Sequence, residues 1–227
     1  MLKGFALYYI LTMITHNPIL ALILILVFYA VADKAYFGFL PDFMAPLRRN
    51  SQIKSLLAEL AVNPANAASA QQVGILCFER KRYNKALKYL TKAGERIKDS
   101  ARLYLYLGMT YMELQQFDKG KQALDSAVAM ERKVGRGLPY IYLLRYELGR
   151  RVLDSAVINQ LEDGLTNFAS TENFFRAGIV YKKQGNREKA REMFSLAVEE
   201  YQGVPKRMRR IHRKWAILAK LHLYTGI

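Results

Sequence analysis

Apolar and polar positions alternate in two different ways along the 227-residue chain. From Gly4 to Ala32 there is no alternation at all: 29 consecutive residues lack Asp, Glu, Lys and Arg. Further on, apolar side chains recur at steps of three and four, the spacing of one helix face. Residues 50–61, "NSQIKSLLAELA", place Ile53, Leu56, Leu57 and Leu60 on such a face. Residues 206–224 place Met208, Ile211, Trp215 and Leu218 on another. The pattern predicts an all-α chain.

The uncharged run exceeds the roughly 20 apolar residues that cross a bilayer, and His16-Asn17-Pro18 breaks it near the middle. Asn is a good N-cap and Pro suits the first helical position. The break therefore predicts a short apolar helix over 2–14 and a spanning helix over 18–37. About twenty residues at 1.5 Å each cover about 30 Å, one hydrocarbon thickness. Asp33 and Lys34 then lie near the interface with Tyr29, Tyr36 and Phe37, and Gly38 and Pro41 end the helix. One alternative is a single kinked helix over 4–32. Another is a cleavable signal ending at Ala30-Val31-Ala32, although the apolar region is about twice the usual length of about 7–15 residues. Lys34, Arg48 and Arg49 outweigh Lys3, which puts the C-terminal side in the cytoplasm. The expected localisation is a bacterial inner (cytoplasmic) membrane with the soluble part on its cytoplasmic side.

An internal repeat organises the remainder. Gly74 and Gly108 are 34 residues apart, and Gly108 and Gly178 are 70 apart. The aligned stretches are "VGILCFERKRYNKALKYLTKA" from Val73, "LGMTYMELQQFDKGKQALDSA" from Leu107 and "AGIVYKKQGNREKAREMFSLA" from Ala177. They resemble the tetratricopeptide repeat, a 34-residue helix-turn-helix unit. Tyr111 and Tyr181 follow their glycines three places on, while Cys77 stands at that place in the first unit. Ala86, Gly120 and Ala190 fill the first small place of the second helix, and Ala93, Ala127 and Ala197 the second. Leu90, Leu124 and Phe194 take the large apolar place.

The resemblance implies a right-handed α-solenoid with units 67–100, 101–134 and 171–204. Residues 137–170 form a degenerate unit, in register through Tyr140 and Ala156 if Gly135-Arg136 is an insertion. There Leu144 replaces the glycine, Glu147 the tyrosine and Gln160 the large apolar residue, so its packing is less secure. Residues 1–37 are the anchor, 38–66 a linker and lead-in helix, and 205–227 a basic capping helix. Stacked pairs bury a continuous core through nearest-neighbour contacts.

In such an architecture the first helices line a concave face. The resemblance thus implies a partner groove of Gln71, Ile75, Phe78, Arg102, Leu105, Met109, Met112, Ile141, Arg145, Phe175, Ile179 and Lys182. Its apolar character with scattered cations suits a protein segment with apolar anchors and an acidic flank. Some repeats of this kind grip a terminal carboxylate with Lys and Asn. Gln71 and Ile75 stand where that pair would begin, so the clamp is not expected.

Charge and candidate chemistry modify this picture only at the margins. The formal net charge is +16, with +7 in residues 67–136 and +7 in 205–227. Lys206, Arg207, Arg209, Arg210, Arg213 and Lys214 are candidate contacts to anionic lipid or phosphate. The apolar continuation "WAILAKLHLY" favours packing or lipid over nucleic acid. One cysteine, Cys77, excludes an intramolecular disulfide. His16, His212 and His222 have no metal or base–nucleophile partner at helical spacing, and no phosphate-cradling glycine loop is present. No catalytic residue, metal or cofactor is expected. The sequence thus reads as a membrane-anchored, non-enzymatic adaptor or scaffold. A periplasm-facing assembly factor and a nucleic-acid-binding regulator are the alternatives.

Overall fold

The 34-residue ruler reappears in the backbone. The computed structural model describes residues 2–32, 45–150 and 152–226, and their regular structure is entirely helical. Contacts group the chain into two units, 43–203 with 215–227, and 1–42 with 204–214.

The larger unit begins with α3 (Ala45–Val62), which covers the expected lead-in helix and extends past both its ends. Four antiparallel pairs follow: α4 (Ala67–Glu79) with α5 (Tyr83–Gly94), α6 (Ala101–Glu113) with α7 (Phe117–Met130), α8 (Leu138–Leu148) with α9 (Ser155–Phe168), and α10 (Thr171–Lys183) with α11 (Arg187–Gly203). Three of the pairs start alike. Asn66, Ser100 and Ser170 cap α4, α6 and α10 by accepting from the backbone N–H of Ser69, Leu103 and Asn173. They also turn alike. Lys81, Gln115 and Gly185 adopt left-handed backbone at φ 57°, 60° and 78°. Each turn closes with a bond five residues back, Arg82 N–H to Cys77 O, Gln116 N–H to Tyr111 O and Asn186 N–H to Tyr181 O, at 2.9, 2.9 and 3.1 Å.

Between these ends the two helices meet glycine to bulk. A Cβ at Gly74 or Gly108 would lie 2.6 Å from Cγ of Leu90 or Leu124, and one at Gly178 would lie 2.6 Å from a ring carbon of Phe194. Leu90, Leu124 and Phe194 are fully buried.

The degenerate pair reverses that arrangement. Tyr140 of α8 is the bulk, and Gly164 of α9 is the small partner that admits its ring. Ala156, expected at the small place, is exposed. Glu147 is 2% exposed, accepts from Arg150 Nη1 at 2.9 Å and forms an ion pair with Lys121 Nζ at 3.4 Å, tying α7 to α8. The two-residue insertion before α8 is also anchored. Gly135, Arg136 and Gly137 all have positive φ. The buried Asn173 side chain donates from Nδ2 to the carbonyls of Gly135 and Arg136 at 3.1 and 2.8 Å. Glu162 of α9 accepts from the Tyr181 hydroxyl and, at 2.7 Å, from Lys189 Nζ, which joins α9 to α10 and α11.

The last helix, α12 (Arg209–Tyr224), starts later than the expected 206–224. Met208 and Ile211, expected on its buried stripe, are exposed, and His212, Ala216 and Ala219 are buried instead. Trp215 packs on Phe175 with ring centroids 5.5 Å apart, and His222 stacks on Phe194 at 4.8 Å with 7° between planes. Lys182 Nζ lies 3.2 Å from His222 Nδ1, so the imidazole accepts there in its neutral form. Burial lowers the pKa of His222, and the Lys182 charge lowers it further.

The smaller unit holds α1 (Leu2–Thr15) and α2 (Pro18–Ala32), which pack as a hairpin. His16 turns the chain at φ 51°. The Asn17 carboxamide accepts from Ile19 and Leu20 N–H at 2.9 and 3.2 Å, the cap that the sequence predicts. The outcome corrects two expectations. The single kinked helix over 4–32 does not form, because the cap restarts the chain at Pro18. The helices on either side have 14 and 15 residues; at 1.5 Å each, α2 rises only about 22 Å. Among the described residues no helix is long and apolar enough to cross a membrane. The expected inner-membrane anchor, and with it the assignment of a cytoplasmic side, is thereby overturned. The expected end of the spanning helix at 33–37, and most of the linker, lie outside the described residues.

Two measurements check this packing. Gly108→Ala drives a Cβ against Leu124, and overpacking of this kind is expected to cost about 1–3 kcal/mol in urea denaturation. Gly203→Ala, with open space around it, is expected to be neutral or slightly stabilising; equal losses in both variants would contradict the close helix approach. His222 supplies the second. As pH falls below its ordinary value of 6.5, the unfolded chain takes up the proton first. The stability of the neutral stack is therefore complete above that value and declines toward the lowered folded value. His222→Phe keeps an aromatic ring on Phe194, so its melting temperature is expected to fall less than the wild type's between roughly pH 7.5 and 5. An unchanged fall contradicts the assignment.

Candidate protein-interaction groove

The first helices of successive pairs, α4, α6, α8 and α10, touch one another. That contact decides which inner-face side chains stay free. Ile75, Leu105, Met109 and Met112 are at most 3% exposed and belong to the core. Gln71 is half-buried, its Nε2 donating to Ser100 Oγ at 3.4 Å across two units. Phe78 is half-buried between Tyr83 and Tyr106, each 5.6 Å away. Arg102 is exposed. Lys182 is exposed and turned to His222. Of the expected groove residues in the first two units, Arg102 alone is exposed, and Ile75, Leu105, Met109 and Met112 serve packing.

The third and fourth units differ. Ile141, Arg145, Phe175 and Ile179 come together around a cavity of about 280 Å³, completed by Leu138, Tyr142, Arg176 and Val180. Phe175 on its wall is buried against Phe194, Trp215 and His222. A second cavity of about 430 Å³ adjoins the C-terminal end of α8, lined by Met112, Glu113, Gln115, Phe117, Tyr142, Arg145, Tyr146, Gly149 and Arg150. The two cavities share Tyr142 and Arg145.

A polar cluster marks this shared wall. Arg145 Nη2 donates to Glu113 Oε1 at 3.1 Å, and its guanidinium lies 4.8 Å over the Tyr142 ring. Burial first, and then the Glu113 charge, push the Tyr142 phenol up to about 12. The Tyr83 phenol is also raised, by burial first and then by Glu113, with which it shares a hydrogen bond. Both phenols are thus neutral donors at physiological pH. Sequence reasoning missed Glu113, Tyr83 and Tyr142. Glu113 directly follows Met112 at the end of α6, and Tyr142 adjoins Ile141, so helical spacing from the chosen residues would have reached both.

The basic C-terminal residues do not share one free face. Lys206, Arg207 and Arg210 are exposed, while Arg209, Arg213 and Lys214 are half-buried, Arg209 Nε donating to Val204 O at 2.9 Å. Burial raises the Cys77 thiol against the opposing pull of Arg82, Lys85 and Arg80, which keeps it a protonated core group. Among the described residues no cluster of three His, Cys, Asp or Glu could hold a metal ion.

Models of the tetratricopeptide repeat match residues 78–136 and 172–203. These stretches are tetratricopeptide repeats. The matches leave out 137–171, where the tetratricopeptide pattern is reversed in the α8–α9 pair. The chain is similar in fold to the crystal structure of MamA, at 18% identity over 73% of this chain and 98% of that one, with a TM-score of 0.53. A likeness to YrrB, a TPR protein with an unusual peptide-binding site, has 19% identity over 76% and 87% of the two chains and a TM-score of 0.43. No curated protein matches the chain.

The tetratricopeptide tyrosine of the last unit yields a test. Tyr181→Phe removes a buried hydroxyl that donates to a carboxylate, a bond of about 1.5–3 kcal/mol. Because Glu162 keeps Lys189, a loss near the lower end of that range is expected by thermal or urea unfolding. No loss would contradict the role of this network in joining α9 to α10.

Proposed function

We propose that the chain is a non-enzymatic adaptor that holds a segment of another protein in the α8–α10 groove. Tetratricopeptide repeats act in protein–protein interaction, and the observation that carries the reading here is the 280 Å³ cavity. Its lining, from the neighbouring first helices α8 and α10, is aliphatic and aromatic apart from Arg145 and Arg176. Apolar pockets with a few placed polar groups are the usual form of binding sites. A partner with apolar anchors and an acidic flank fits that lining, in a chain whose net charge is +16.

Ile179 is half-buried on the groove and outside the fully buried core. Ile179→Glu is therefore expected to abolish capture of the partner polypeptide by the full chain in affinity purification, with far-UV circular dichroism unchanged. Arg191→Glu, on the exposed side of α11, is expected to leave capture intact. Capture that survives Ile179→Glu contradicts the groove reading.

A further inference from the structure

The two cavities are lined by Leu138, Ile141, Tyr142, Arg145 and Tyr146 of α8 and by Gly149 and Arg150 just past its end. They recur at steps of three and four, so the helical ones share one face of α8, and Gly149 and Arg150 extend the line past its end. Arg145 sits near the middle of that line, on the wall between the cavities. The other lining guanidiniums, Arg150 and Arg176, pair with Glu147 and Glu172, three and four residues before them. Arg145 pairs across units, with Glu113 of α6.

That pair is placed to exchange. Its side chains are 47% and 24% exposed, and an ion pair so open to water contributes little to stability. Glu113 would not be orphaned by losing Arg145, because its side chain is 24% exposed and keeps access to water. Tyr142 under the guanidinium keeps Arg145 in position while its carboxylate changes. A segment lying over the face excludes water, and an Arg–carboxylate bond then strengthens.

We propose that Arg145 reads a carboxylate of the bound segment, and that Glu113 occupies that position in the free protein as an internal competitor. The inference rests on the groove reading above. The occupant is a protein segment with Asp or Glu between two apolar side chains, one apolar side chain for each cavity. Lining charge supports this choice: three guanidiniums face the two cavities and Glu113 is their single carboxylate.

Selection of a random twelve-residue peptide display library on the full chain tests it. Selected peptides are expected to carry an acidic residue flanked by apolar ones. A synthetic peptide of that sequence is expected to bind Arg145→Gln on the order of tenfold more weakly, the scale of one charged hydrogen bond. It is expected to bind Glu113→Gln several-fold more tightly, whereas its Gln-for-acid counterpart is indifferent to both changes. Peptides without acidic preference, or an acidic preference that survives Arg145→Gln, overturn the inference. If such acid-free peptides still lose binding on Ile179→Glu, the groove stands and only the carboxylate assignment falls. A selection that enriches nothing overturns both.

Discussion

Two helices can approach closely only where one of them has no side chain in the way. In three pairs of this chain that gap is a glycine on the first helix, filled by Leu90, Leu124 or Phe194 from the second. The fit sets the distance between the helices. The shared caps and left-handed turns at either end fix where each pair begins and reverses. Neighbouring pairs then stack because each buries an apolar face that its own partner helix cannot cover.

The degenerate pair keeps the close approach by exchanging the two roles. Tyr140 provides the bulk and Gly164 the gap. Glu147 replaces an aromatic side chain with a buried carboxylate paired with Lys121 and Arg150. This substitution has a consequence for the surface. The α8 face between the α6–α7 turn and α10 retains two cavities with Arg145 and Tyr142 between them. In the first two units Ile75, Leu105 and Met109 close into core, and the end of α6 gives Met112 and Glu113 to the larger cavity. The irregular unit is thus where the inner face remains available.

Much of the fold was legible because it depends on spacing. The 34-residue interval between glycines, the large residues opposite them and the Asn17-Pro18 restart are all properties of sequence position. The Tyr140–Gly164 exchange was hidden, since Leu144 and Gln160 occupy the places where that ruler looks for the pair. The left-handed turns at Lys81 and Gln115 were hidden too, because neither is the glycine that usually marks such a turn. The groove was half legible. Helical register identified the inward-facing residues, but which of them are covered depends on how closely neighbouring first helices pack. Ile75, Leu105, Met109 and Met112 lost their exposure to that packing. The membrane expectation failed on length, since it needed a helix of about twenty residues from Pro18, whereas α2, Pro18–Ala32, has 15.

The central claim is that a partner lies along α8 between α6 and α10. Methyl-selective NMR of the full chain with isoleucine labels tests it directly, with a captured partner segment titrated in. The account requires shifts at Ile141 and Ile179, with Ile53 in the α3 helix and Ile97 after α5 unmoved. Shifts confined to Ile53, Ile97 or the isoleucines of α2, with Ile141 and Ile179 unchanged, would contradict it.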